Sequence, residues 1–223
     1  MAGLGADIAE VYTELGADLS IVTRTPVVTG QVVLYEINAQ ATKPFIREHQ
    51  LDCTLPYDTL ITTNDVVCMT KTSRYYMVMN KTPELFENEI VEWNVVFYLC
   101  NLPTTVHIVR PVEIRDAVSY NMITGWQVVQ DEPMYGLLTD RIYGTEIEQD
   151  RKDAGQNQIW RISLYIPKIY DVKPLDRFVI SDTEYYKIEQ VESYYYPGVH
   201  VCLLVEDTRG ITEIIDGDVY EDD

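Results

Sequence analysis

Asp65-Val-Val-Cys-Met-Thr-Lys-Thr-Ser-Arg-Tyr-Tyr-Met-Val78 and Asp176-Arg-Phe-Val-Ile-Ser-Asp-Thr-Glu-Tyr-Tyr-Lys-Ile188 read as one short passage written twice. Each opens on an aspartate, runs through β-branched and apolar residues, breaks at a polar turn and resumes at a tyrosine pair. The pair follows the aspartate by ten residues in the first passage and nine in the second. Such a sequence is a strand, a tight turn and a second strand. Upstream lie Asp52-Cys-Thr-Leu-Pro-Tyr-Asp58 in one half, and in the other Arg161-Ile-Ser-Leu164 running through Pro167 to Tyr170-Asp171. Downstream, one half has an apolar strand ending at Cys100 and the other a strand containing Cys202. The same order of events twice is the mark of an internal repeat. Tyrosine-rich antiparallel hairpins also share a texture without any duplication, so the repeat is an expectation for the strand order to meet.

Working outward, residues 19–23, 27–37, 50–55, 66–70, 74–79, 90–100 and 106–109 are rich in β-branched and aromatic residues and punctuated by Pro, Gly, Asn or Asp. The texture continues at 125–129, 134–143, 159–167, 177–181, 185–196 and 199–206. The one helical pattern spans 6–15, where Ile8, Val11, Tyr12 and Leu15 recur on one face and Gly16 ends the run. No helical crossovers separate the strands, which excludes a single parallel sheet. The expected fold is all-β and mainly antiparallel: two tandem small β-barrel or β-sandwich modules behind a short N-terminal helix. The helix and first module are assigned to 1–112, the second module to 113–212 and an acidic, fraying tail to 213–223. The modules are expected to meet near Arg110 to Ala117, where a proline and a charged stretch intervene.

Seventeen Lys and Arg stand against 36 Asp and Glu, a formal net charge of −19, which opposes any tight grip on nucleic-acid phosphates. The longest apolar runs fall far short of the roughly 20 residues a membrane helix needs. The start, Met1-Ala-Gly-Leu-Gly-Ala-Asp7, has neither the basic region nor the apolar core of a secretory signal, so synthesis and use in a cytoplasm are expected. Cys53, Cys68, Cys100 and Cys202 lack paired spacing and suit free thiols.

Chemistry-bearing arrangements are sparse. His49 and Cys53 would lie roughly 13 Å apart on a strand rising about 3.3 Å per residue, too far to share zinc at just over 2 Å. His107 and His200 sit singly in apolar runs. No phosphate-binding loop or nucleophile elbow is present, and Gly3-Leu-Gly5 precedes a helix without a strand before it. The reading is therefore of a non-enzymatic protein with no catalytic, cofactor-binding or metal-binding residues.

What remains are candidate contact residues. Tyr194, Tyr195 and Tyr196, before Pro197-Gly198, and Tyr12 on the helix are expected at subunit contacts, since tyrosine is enriched at interfaces; the triplet is equally a hairpin whose rings alternate between faces. Two long polar stretches sit at matching places in the halves. The stretch 144–158, carrying Gly144, Glu146, Glu148, Asp150, Arg151, Lys152, Asp153 and Gln156, is the candidate channel or partner loop. The stretch 38–49, carrying Gln40, Lys43, Pro44 and Arg47, is its counterpart.

Three stretches resemble the head-closure, or stopper, and head-tail connector proteins of tailed bacteriophages. They are Asp7-Ile-Ala-Glu-Val-Tyr-Thr-Glu-Leu-Gly16, Pro174-Leu-Asp-Arg-Phe-Val-Ile-Ser-Asp-Thr-Glu-Tyr-Tyr-Lys-Ile188, and Tyr196-Pro-Gly-Val-His-Val-Cys-Leu-Leu-Val205. Single-module members of that family are about half as long, so the resemblance implies a duplicated or extended form. It further implies a structural virion protein made in the host bacterial cytoplasm and placed at the neck, in a ring with other copies of itself. Its partners would be the portal or adaptor and the tail proteins; DNA would pass through without specific binding, and neither cofactor nor membrane would be involved. An acidic ring wall would repel the passing phosphates. A tail-terminator or baseplate adaptor, or a soluble carbohydrate- or protein-binding β module, are the competing readings.

Overall fold

The computed structural model describes residues 4–37, 50–102, 106–115, 122–130, 134–139, 162–181, 184–207 and 214–215. Helix α1 (Leu4–Leu15) leads into β1 (Ala17–Ile21), β2 (Val28–Ile37), β3 (Gln50–Pro56), β4 (Val66–Met69), β5 (Arg74–Phe86) and β6 (Glu89–Leu99). These six strands close into an antiparallel barrel in the order β1-β2-β3-β6-β5-β4. Then come β7 (His107–Arg115), β8 (Met122–Gln130), β9 (Leu137–Thr139), β10 (Ile162–Pro167), β11 (Arg177–Ser181), β12 (Glu184–Tyr196), β13 (Val199–Glu206) and β14 (Ile214–Ile215). They form an eight-stranded sheet in the order β14-β8-β7-β11-β12-β13-β10-β9.

The second order repeats the first. β1 pairs with β2 and β4, as β7 pairs with β8 and β11. β3 lies between β2 and β6, as β10 lies between β9 and β13. β4, β5 and β6 run side by side, as do β11, β12 and β13. The place of β2, whose first half pairs with β1 and second half with β3, is divided between β8 and β9.

The repeat extends to hydrogen bonds. Pro56 and Pro167 each stand nine residues before a buried aspartate, Asp65 and Asp176. In each turn the aspartate Oδ2 accepts from the amide three residues earlier, Thr62 at 2.7 Å and Lys173 at 2.8 Å. Its backbone carbonyl accepts from the next hairpin, from Val78 N at 3.1 Å and Ile188 N at 2.8 Å. An arginine closes each turn with two bonds: Arg24 Nε and Nη2 reach Asp65 at 3.0 and 2.6 Å, and Arg110 Nε and Nη2 reach Asp176, both at 2.9 Å. A buried carboxylate is tolerated only with such pairing. The Asp176 contact, ahead of the cost of burial, raises the Arg110 pKa, and Arg110 in turn lowers that of Asp171.

Alternation fills two cores. Leu19, Ile21, Val33, Leu51, Leu55, Val67, Tyr76, Val78 and Phe97 point into the barrel. Ile108, Leu164, Ile166, Phe178, Ile188, Cys202 and Leu204 fill the second module. The opposite faces of some of these strands meet each other: Val66, Met77, Met79 and Tyr98 of the barrel pack on Leu137, Tyr165, Val199 and Val201. The rings of Tyr98, Tyr165 and Tyr196 lie 6.1 to 6.3 Å apart there. At the same junction Asn101 bonds Leu138 through both its side-chain oxygen and nitrogen, at 2.8 and 2.9 Å.

Three expectations need correction. The change from one module to the next falls between Leu99 and His107, not at 112/113, because β7 runs across that point and belongs wholly to the second sheet. Pro111 is tolerated inside β7 because the pairing with β11 involves only residues 107 to 109. The helix begins at Leu4, two residues earlier than its apolar spacing suggested. The acidic end is not free along its whole length, since Ile214 and Ile215 pair in parallel with Trp126 and Gln127. The rest of that segment, and both long polar stretches with every candidate residue named on them, lie outside the described residues.

Candidate interaction face

The helix rests on the barrel by a side made of small residues. A Cβ at position 5 would stand 3.2 Å from the Tyr57 ring and 3.4 Å from the Ile90 carbonyl oxygen, so glycine lets the helix lie close. At the other end Gly16 N donates to Tyr12 O at 2.9 Å, and a Cβ there would sit 2.4 Å from the same oxygen. Between them Tyr12, 1% exposed, donates its hydroxyl hydrogen to Glu92 Oε2 at 2.9 Å. Burial, reinforced by the Glu92 carboxylate, pushes the Tyr12 phenol up. Tyr12 was expected at a subunit contact; instead it is buried within its own chain, because its hydroxyl finds a carboxylate on β6.

Turning Gly5, Ala9 and Tyr12 inward turns Leu4, Val11 and Leu15 outward, at 44%, 46% and 72% exposure. These three fall on one line along the helix, i, i+7 and i+11, about 17 Å long at 1.5 Å per residue. Fully burying such a side chain is worth about 1.5–3 kcal/mol, so an exposed row of three asks for a cover. Beside the helix N-terminus, the β5–β6 hairpin extends past the point where its counterpart β12–β13 turns at Pro197-Gly198. Its tip, closed by Glu87 and Asn88 with φ of 50° and 68°, exposes Leu85 (59%), Phe86 (53%) and Ile90. Adjacent left-handed residues are what a two-residue hairpin turn requires.

The helix also occupies a meaningful place. Pro167 faces Val199 and Tyr165 faces Val201 in the second module, where the first has Pro56 facing Glu92 and Thr54 facing Asn94. The face by which the second module docks on the barrel therefore corresponds to the barrel face that α1 covers, with Glu92 in the position of Val199.

Charge along this face has one sign. Helix α1 carries Asp7, Glu10 and Glu14, and residues 82–93 carry Glu84, Glu87, Glu89 and Glu92, with no Lys or Arg in either stretch. The sequence shows the helical stripe of Ile8, Val11, Tyr12 and Leu15 without saying which side meets the barrel, and the strands read at 74–79 and 90–100 leave out the hairpin tip between them. Gly5, Ala9 and Gly16, close together on one side of the helix, were the signal that the small-residue side would face the barrel.

Of the tyrosine triplet, Tyr196 lies in the junction between modules and Tyr194 is 99% exposed; the Tyr195 side chain is outside the described residues. Ser193 Oγ and His200 Nδ1 are hydrogen-bonded at 2.8 Å. Lys168 Nζ, bonded to Ser193 O at 2.7 Å, and burial together keep the imidazole below its usual pKa, burial contributing most. Among the described residues no three His, Cys, Asp or Glu side chains gather to hold a metal, and no helix is long and apolar enough to cross a membrane. Comparison of the chain with protein-family models, with curated proteins and with solved structures finds no match.

Proposed function

We propose that this chain is a structural assembly protein of a tailed bacteriophage, a ring-forming head-closure or head-tail connector component at the neck through which DNA passes. The observation that carries the reading is the exposed apolar row Leu4, Val11 and Leu15 beside the apolar hairpin tip, on a closed barrel followed by a second β-sheet module, both with cores otherwise filled by alternation. A surface of that kind serves neighbours, not a small substrate. The net charge of −19 supports a role in which DNA passes and does not adhere. A tail-terminator or baseplate adaptor would use the same surfaces. The carbohydrate reading loses Tyr196, whose ring is engaged with Tyr98 and Tyr165.

Electron microscopy of virions labelled with antibody to the protein tests the proposal. Label at the neck, on a ring, is the expected result. Label at the far end of the tail would favour the adaptor, and unlabelled particles would overturn the assembly reading.

A further inference from the structure

Resting on that assembly reading, we infer that the face formed by Leu4, Val11, Leu15 and the cross-strand pair Leu85 and Ile90 receives a different protein, through an apolar surface rimmed by lysine and arginine. The charge pattern argues for this occupant. Seven carboxylates and no Lys or Arg fall in the helix and in residues 82–93. The neighbouring hairpin cation, Lys81, is taken up by the Ile61 carbonyl at 2.7 Å and the Trp93 ring at 4.1 Å, and one of the seven carboxylates, Glu92, is engaged by Tyr12. An apolar surface ringed by anions is matched by an apolar surface ringed by cations.

A second copy is a poorer fit on two grounds. Self-pairing of this face sets like charges opposite each other. Head-to-tail continuation of the internal junction fails at both ends of the tandem. At one end α1 already covers the barrel face that corresponds to the docking face of the second module. At the other, the residues matching the barrel's docking surface have become charged. Val66 facing Met77 in the barrel corresponds to Arg177 facing Lys187 in the second module, and Arg177 is itself taken up by the Trp126 ring at 3.9 Å and by Asp207 at 2.7 Å. Repeat arrays end in this way, with polar or covered terminal faces. The apolar row on the outside of α1 is thus left for a partner of another kind.

The test uses the full chain and two short helical peptides with the same leucine row, one flanked by lysine and one by glutamate, followed by fluorescence anisotropy. The lysine-flanked peptide should bind at least about tenfold tighter, and its affinity should fall as salt rises. Val11→Asp and Leu85→Asp should each weaken it about tenfold or more, with the thermal midpoint unchanged. Val205→Asp, at an exposed site on the second module, should leave it as it was. Equal binding of the two peptides, binding of neither, or indifference to Val11→Asp overturns the inference. So does self-association in sedimentation velocity that Val11→Asp abolishes, since the occupant would then be another copy. None of these results touches the location of the protein on virions, so the inference and the assembly reading fail separately.

Discussion

Gly198 lies so close to Thr63 that a Cβ at position 198 would fall 1.3 Å from the Thr63 carbonyl oxygen and 2.8 Å from that of Val78. The turn between β12 and β13 therefore sits against the backbone of the barrel. Gly198→Ala has no room and must push the modules apart, costing about 3 kcal/mol. Urea unfolding should report a lower midpoint, whereas Pro197→Ala in the exposed half of the same turn should move it little.

Asp176 is 1% exposed and carries both the Arg110 bonds and its turn. Asp176→Ala leaves a partly buried guanidinium without its main partner and should cost about 3–5 kcal/mol. Truncating Arg24 should also be clearly destabilising, because it leaves the Asp65 carboxylate, whose side chain is only 6% exposed, without its cation. If the junction couples the modules, both changes will shift one shared unfolding transition.

Ser163 is wholly buried in β10, and its hydroxyl has no hydrogen-bond partner. Ser163→Ala removes a desolvated polar group without opening a hole. Stability should rise by about 1 kcal/mol, measured by the same denaturant series.

His200 is held in its neutral form by burial and by Lys168. As pH falls through about 6.5 the unfolded chain takes up this proton before the folded one does. Stability contributed by the neutral imidazole is thus present at and above neutrality and is lost as pH drops, down to the lowered folded pKa. His200→Asn should flatten that part of the stability profile, and an NMR titration should show the imidazole midpoint below the ordinary value.

All four cysteines are free, and burial pushes each thiol up, Cys202 to about 12. Native protein at mildly alkaline pH should react slowly with a thiol reagent, and denatured protein should release four equivalents at once.

The strands and the doubling were legible because alternation and turn residues are local signals. Asp65 and Asp176, which open the repeated passages, proved to be the hubs of matching turns. The docking of one module on the other was not legible: Met77 and Val78 look alike in sequence, yet one faces the junction and the other the barrel interior. The same limit hid the interaction face. Periodicity grouped Tyr12 with Val11 and Leu15, and only the close approach allowed by Gly5 separates the buried tyrosine from its exposed neighbours. Pro111 misled the boundary because a proline at the sheet's margin looks the same as one in a linker.

The barrel draws its strands entirely from residues up to 99, while the residues that cover its Met77, Met79 and Tyr98 arrive only with Leu137, Tyr165 and the hairpin at 198. On a ribosome adding about 5–20 residues per second, the finished barrel waits roughly 5–20 seconds with that sulfur- and tyrosine-rich flank still wet. Premature release of the nascent chain would therefore yield a folded but adhesive fragment.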